Sequence, residues 1–293
     1  MNKKIVKNQR VSRTRRSSRI VSFDSISEFL KYIKDNKENE VFSRRKKSRG
    51  LESRSRDYEF TKTKSFKEAV ELITNGWNEI SEELRKQMKK AELKLNNKTY
   101  KNKTIYDVAG FQCSVPRYLN GIPTSMINHK RTVTSNNKII TINKCISYAH
   151  YISTEQIISE SIKALFIVKS LEEQGYRVNL NILMGALTQN KTIGEYVKVK
   201  VKNAGERINI SKLSFPLVHP SMLRRLMFRY IEVVPNIHQD YAFGYGRVAD
   251  NNDLVNAIPK NEYVIPPLLE YTLEDIAKNK NNILNEIMLK GEL

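Results

Sequence analysis

Between Lys138 and Gln189 the hydrophobic positions change their period twice. Ile139 to Ile146 is an apolar, β-branched run and Ser147 to Ser153 is polar; Thr154 to Gln174 then sets Ile157, Ile158, Ile162, Leu165, Phe166, Val168 and Leu171 at helical spacing. Gly175 precedes a second apolar run, Arg177 to Met184. Such a sequence of periods is a strand, a helix and a strand. About twenty helical residues cannot be a hairpin turn, so the strands are expected to lie parallel, with the helix crossing one face of their sheet. Ser153 and Gln156 supply a capping box for the helix start.

The same reasoning extends outward. Ser65-Phe66-Lys67-Glu68 caps a helix with Phe66, Ala69, Val70 and Ile73 on one stripe, and Asn75-Gly76 stops it. Trp77 reads as a core anchor rather than a base-stacking platform. A second helix covers Ser81 to Leu95, and a short amphipathic one covers Ser25 to Lys34. Residues 107–126, with Gly110, Pro116, Gly121 and Pro123, read as ordered turns with a short strand. Tyr196 to Lys202 alternates, so Lys198, Lys200 and Lys202 share one side. This suits an edge strand shielded by lysines, or a basic ladder facing phosphates. Leu213 to Val218 reads as a fourth strand ending at His219-Pro220-Ser221, followed by a helix to about Glu232 with Arg224, Arg225 and Arg229 on its polar side. Those arginines are expected either to pair with an acid such as Glu232 or to meet phosphates. Thr272 to Asp275 caps a final helix.

The fold class expected is α/β: a partly parallel, Rossmann-like sheet with flanking helices. Residues 1–57 are expected as a basic, largely disordered arm, 65–235 as the α/β domain, and 236–293 as an extension with a terminal helix.

Charge adds a partner to this picture. The 293 residues are 40% hydrophobic, enough for a core, yet carry a formal net charge of +20. Residues 1–57 hold 18 Lys and Arg against 7 Asp and Glu. A basic excess points to a polyanion such as DNA or RNA, with a solvated surface or solubilising tail as the plainer reading. The candidate phosphate contacts are Arg13, Arg15, Arg16, Arg19, Arg44, Arg45, Lys46, Lys47 and Arg49, joined by Arg224 and Arg225. No apolar run is long enough to cross a bilayer, so a membrane is not expected as a partner. Cys113 and Cys145 lack any metal-site spacing, and no nucleotide-cradling glycine pattern is present. Neither a metal nor a cofactor is implied.

In an open α/β sheet a ligand site lies beyond the carboxyl ends of the strands. Those ends offer Ser147 and His150 after the first strand and His219 and Ser221 after the fourth; these are the candidate catalytic residues. No carboxylate accompanies them in sequence to orient an imidazole. Tyr241, Phe243, Tyr245 and Arg247, set among Gly244 and Gly246, form either a base-stacking run or a strand and turn that close the sheet.

The order of these elements resembles the von Willebrand factor A fold, whose first core strand leads into a metal-binding D-x-S-x-S loop. This chain has Asn143-Lys144-Cys145-Ile146-Ser147 there, with no acid. The resemblance therefore implies a core without the family's magnesium site. A second resemblance is to an uncharacterised domain family of tailed bacteriophages. It rests on Phe66-Lys67-Glu68-Ala69 with Gly76-Trp77, Val115-Pro116 with Gly121-Ile122-Pro123 and Met126, Leu171 to Val178, and His219 to Arg225 with Phe228. It implies a phage origin, a place in the host cytoplasm or the virion, and phage or host protein partners. The function expected is a non-enzymatic, nucleic-acid-associated protein. A virion or assembly component and a nucleic-acid-processing enzyme acting through His150 and His219 are the alternatives.

Overall fold

A computed structural model describes residues 6–11, 16–43, 55–95, 103–130, 138–279 and 282–290. The strands are β1 (Val6–Val11), β2 (Arg16–Phe23), β3 (Lys103–Asp107), β4 (Gln112–Cys113), β5 (Met126–Lys130) and β6 (Ile139–Cys145). They continue with β7 (Arg177–Leu187), β8 (Ile193–Lys202), β9 (Arg247–Val248), β10 (Glu262–Ile265) and β11 (Leu289–Lys290). The helices are α1 (Ile26–Asp35), α2 (Glu40–Ser43), α3 (Ser55–Thr61), α4 (Phe66–Asn75), α5 (Asn78–Leu95) and α6 (Val115–Leu119). After the long α7 (Thr154–Glu173) come α8 (Ile210–Val218), α9 (Phe228–Val233), α10 (Asn251–Ala257) and α11 (Leu273–Lys278).

The expected crossover is present. Strands β6 and β7 pair in parallel from Ile139↔Arg177 to Cys145↔Leu183, with α7 between them in the chain. Ser153 and Gln156 form the reciprocal capping box. Helix α7 buries Ile157, Ile162, Leu165, Ile167, Val168 and Leu171 around most of its circumference, because it packs against both the sheet and other helices. Removing one such side chain from water is worth about 1.5–3 kcal/mol. The sheet order is β1-β2-β8-β7-β6-β10-β11, with β9 on β7. It is mixed: β2–β8, β6–β7 and β6–β10 are parallel, while β7–β8 is antiparallel. Ile140, Ile142 and Ile146 join the main core; Cys145 lies in a second cluster with Leu183, Leu254 and Val264. Both faces of the sheet are thus covered, as its apolar strands require.

Four expectations change. Arg16 to Phe23, placed in a disordered arm, is a strand paired in parallel with β8, and Phe29, Leu30 and Ile33 of α1 are buried in the main core. Ile20, Val21 and Phe23 give that segment its share of apolar burial, and the pairing with β8 outweighs its basic composition. The sheet also takes β10 and β11 from the region expected as an extension. Next, β8 is interior rather than an edge, and its lysines each meet an acid: Lys198–Glu262 at 2.8 Å, Lys200–Asp24 at 3.3 Å and Lys202–Glu172 at 2.5 Å. Finally, the segment read as a fourth strand is α8. Asn209 accepts the Lys212 N–H at its start, and 213–218 is buried all round, a pattern a core helix shares with a core strand. Pro216 removes one helix hydrogen bond, tolerated where the facing residue Lys212 is exposed to water.

The segment from β3 to β5 builds a separate three-stranded antiparallel sheet, β3-β5-β4. Val108, Phe111, Val115, Tyr118 and Leu119 on it are exposed.

Candidate functional site

The helix that follows α8 opens with a π-helical stretch, Met222–Met227, and continues as α9. A π turn adds a residue per turn and rotates side chains off the regular face. Here it carries Leu223 and Arg224 to a cavity of about 330 Å³. Ser147, Tyr148, Ala149 and His150, immediately after β6, form one wall, so the cavity lies beyond the carboxyl end of that strand. Met184, Gly185 and Ala186 of β7 form another. Phe60 of α3, Phe228 of α9 and the Gly244–Val248 segment complete it. None of the described residues lining it is Asp or Glu, whereas Arg224 and Arg247 are cationic.

Its side chains are held from below. Ser147 is buried and its Oγ accepts the Gly185 N–H at 2.9 Å, which joins the two parallel strands at the cavity floor. Arg224 is 6% exposed, lies 4.3 Å over the Phe60 ring, and donates to the Phe60 carbonyl at 2.8 Å. Longer contacts reach the carbonyls of Ile152 and His150. Burial lowers its pKa, and among the described residues no carboxylate forms an ion pair with it. A guanidinium stays charged regardless. His150 is exposed at the rim, edge-on to Tyr151. Arg247 is exposed and its Nε donates to Gln189 at 2.8 Å.

The opposite rim is strained. Gly244, Tyr245 and Gly246 have φ of 115°, 63° and 88°. At Gly246 an added Cβ would also meet the Leu187 carbonyl oxygen at 2.8 Å, so only glycine fits. Tyr245 takes a left-handed conformation that disfavours a bulky side chain. It is kept there by a parallel stack on Phe228 at 4.0 Å, by Phe42 on the same ring at 5.5 Å, and by its hydroxyl, which donates to Glu232 at 2.6 Å. Glu232 is fully buried and also receives Arg229 at 3.2 Å, with Glu38 3.0 Å from the same guanidinium. The pairing expected for Arg229 is therefore present. Strained backbone of this kind persists where its surroundings over-determine it, and ligand clamps are a common setting.

Of the candidate residues, the cavity brings together Ser147, His150 and Arg224. His219 and Ser221 do not line it. His219 is buried edge-on to Trp77 at 4.6 Å and stacked on Phe215 at 4.7 Å, and its Nδ1 accepts the Ser221 N–H at 3.0 Å. Burial lowers its pKa to about 4, so the ring is neutral. Ser221 is buried between the Thr61 carbonyl and the Thr63 hydroxyl. Arg225 is wholly buried and donates to Thr63 Oγ1 at 2.7 Å and to the Thr63 carbonyl at 2.8 Å. Arg19 binds Glu195 at 2.7 Å and the Pro235 carbonyl at 2.9 Å. Arg13, Arg15, Arg44, Arg45, Lys46, Lys47 and Arg49 lie outside the described residues; Arg16 is described only as backbone in β2. No group of three or more His, Cys, Asp or Glu able to hold a metal occurs among the described residues.

Residues 6–290 match a family described as a domain of unknown function, DUF7192. The chain belongs to that family. No curated protein and no solved structure matches it. In this DUF7192 chain Asn143 is buried in β6; its amide donates to Glu262 at 2.8 Å and accepts from Asn181 at 2.9 Å. That cluster ties β6, β7 and β10 together across the sheet.

Chemically, the DUF7192 cavity has cations, a hydroxyl already used as an acceptor, and aromatic walls. It suits binding of an anion that carries an apolar or planar part. The sequence singles out Tyr245 and Arg247 as an aromatic and basic run, and Phe228 only within the phage-family pattern. Phe60 carries no such signal, and its place beside Phe228 comes from the convergence of α3 and α9.

Proposed function

We propose that this DUF7192 protein is a nucleic-acid-associated binding protein and not an enzyme, in which the α/β domain presents basic segments to a phosphate backbone. The observation that carries the reading is charge: +20 over the chain, with the first 57 residues alone holding 18 basic against 7 acidic side chains. Each Lys or Arg that neutralises a phosphate releases a condensed counterion. The cavity supports the same reading, because its charged lining is cationic only. Arg19, Arg225 and Arg229 serve the fold through Glu195, Thr63 and Glu232. The phosphate contacts are therefore assigned to the Arg44–Arg49 run and to Arg13, Arg15 and Arg16 before it. A phage setting, with the polymer met in an infected cell, rests on the residue pattern from Phe66 to Phe228 described above.

Deleting residues 1–56 would not test this, since it removes β2 and the buried Phe23, Phe29 and Ile33. The informative variant replaces Arg44, Arg45, Lys46, Lys47 and Arg49 with Gln. Affinity for a labelled oligonucleotide is followed by anisotropy as salt is raised. The expected log–log slope is steep, about −0.7 to −0.9 per phosphate contacted, and becomes shallower in the variant. A slope that the five substitutions leave unchanged removes the run from the interface, and a slope near zero in the intact chain overturns the proposal.

A further inference from the structure

We infer that the cavity beyond β6 is a seat for a single nucleotide with an unpaired base, either free or at an exposed position of a single strand. The inference rests on the nucleic-acid reading for its polymer form and on the cavity itself for the nucleotide. Arg224 is the deciding residue. It is only 6% exposed, yet its guanidinium meets carbonyl oxygens and one aromatic face, with no carboxylate among the described residues. A buried cation normally has an anion beside it, because desolvation otherwise goes uncompensated. The residue lines an opening whose other charged side chain is Arg247 and whose rim holds His150. An anion arriving there meets donors and no acid.

The walls describe the rest of the ligand. Phe60, Phe228 and Tyr245 line the same space; Tyr245 is already stacked on Phe228 and Phe42, so a planar heterocycle meets its edge and the ring surfaces of Phe60 and Phe228 that Arg224 and Tyr245 leave uncovered. The volume, about 330 Å³, is at the small end for ligand sites, which fits one nucleotide and excludes a duplex. A base held in a double helix would have to be extruded before it entered. The Gly244–Gly246 rim is held by Tyr245, whose ring stacks on Phe228 and whose hydroxyl donates to Glu232, which lowers the ordering cost of binding.

The test uses the full chain and two probes: adenosine 5′-monophosphate by calorimetry, and a 15-nucleotide single strand beside its duplex by anisotropy. Arg247→Gln is the principal variant, because Arg247 is exposed and its replacement spares the core. Arg224→Met is the second, with circular dichroism to report folding. Adenosine monophosphate is expected to bind more tightly than adenosine or inorganic phosphate alone. Arg247→Gln should weaken it roughly tenfold, as loss of one charge-assisted contact does. The intact chain should prefer single strand to duplex, and the variant should lose that preference. Nucleotide binding that is absent at millimolar concentration, or equal in intact chain and folded variants, overturns the inference even where the salt-dependent oligonucleotide binding persists. Nucleotide binding without oligonucleotide binding overturns the polymer reading and leaves the cavity as a site for a free nucleotide.

Discussion

Replacing His219 by Asn gives a direct measure of how the buried helix start responds to acid. His219 is 5% exposed, packed between Trp77 and Phe215, and its Nδ1 accepts the Ser221 N–H. Protonation would cancel that acceptor and place a charge among aromatic rings. Its pKa accordingly falls from an ordinary 6.5 to about 4. Between those values the unfolded chain binds a proton that the folded chain does not, so stability is complete above pH 6.5 and is lost as pH falls to 4. At about 1.36 kcal/mol per pH unit, the loss approaches 3 kcal/mol over the whole interval and is about 2.5 kcal/mol by pH 4.5. Asn keeps an oxygen able to accept an N–H two residues on, and does not titrate. The variant loses ring packing, so it should be less stable at pH 7.5. Its decline on acidification should be shallower than that of the intact chain by about 2.5 kcal/mol at pH 4.5. Urea unfolding at pH 7.5 and 4.5 measures both terms, and the difference between the two chains cancels the carboxylates they share. Parallel declines would refute the reasoning, for they would mean that His219 titrates alike in the folded and unfolded states.

Other perturbations test other parts. Tyr245→Phe removes the hydroxyl that donates to buried Glu232, and should destabilise by about 1–3 kcal/mol in urea unfolding while leaving the Phe228 stack in place. Lys144 is fully buried, donates to the carbonyls of Pro266 and Pro267, and has its pKa lowered by burial to about 8. Between pH 8 and the ordinary 10.5 the unfolded chain binds the extra proton, so stability rises with pH there, by about 2 kcal/mol from pH 8 to 10; Lys144→Met should abolish this rise. Leu119 is 77% exposed on the small β3-β5-β4 sheet, so Leu119→Asp should change unfolding stability by no more than about 0.5 kcal/mol, and a larger loss would show that the face is covered.

The parts of this fold that were legible in the sequence are those decided locally. The β6–α7–β7 crossover is written in two β-branched runs, a capping box at Ser153 and the stop at Gly175. Helix α4 is likewise announced by Ser65, whose side chain accepts the Glu68 N–H. What was read differently depends on partners far along the chain. The Arg16–Phe23 segment becomes a strand because β8 offers it an edge, and nothing in its own basic composition records that. The lysines of β8 suit an exposed edge until Asp24, Glu172 and Glu262 arrive from distant segments to neutralise them. Leu213 to Val218 is apolar on every side, so its period is hidden and its length alone does not separate helix from strand. The cavity was half legible. Ser147 and His150 were placed by the rule that sites lie beyond strand carboxyl ends, and Arg247 by its aromatic neighbours. His219 was placed by the same rule applied to a strand that is a helix, and it went to the core instead.

Whether the chain holds a polyanion through its basic segments is decided by the salt dependence of its affinity for a single-stranded oligonucleotide. Binding should be tight near 50 mM salt, with a log–log slope of about −3 or steeper, as release of several counterions requires. Affinity that is undetectable at that salt, or that stays level as salt rises, would contradict it.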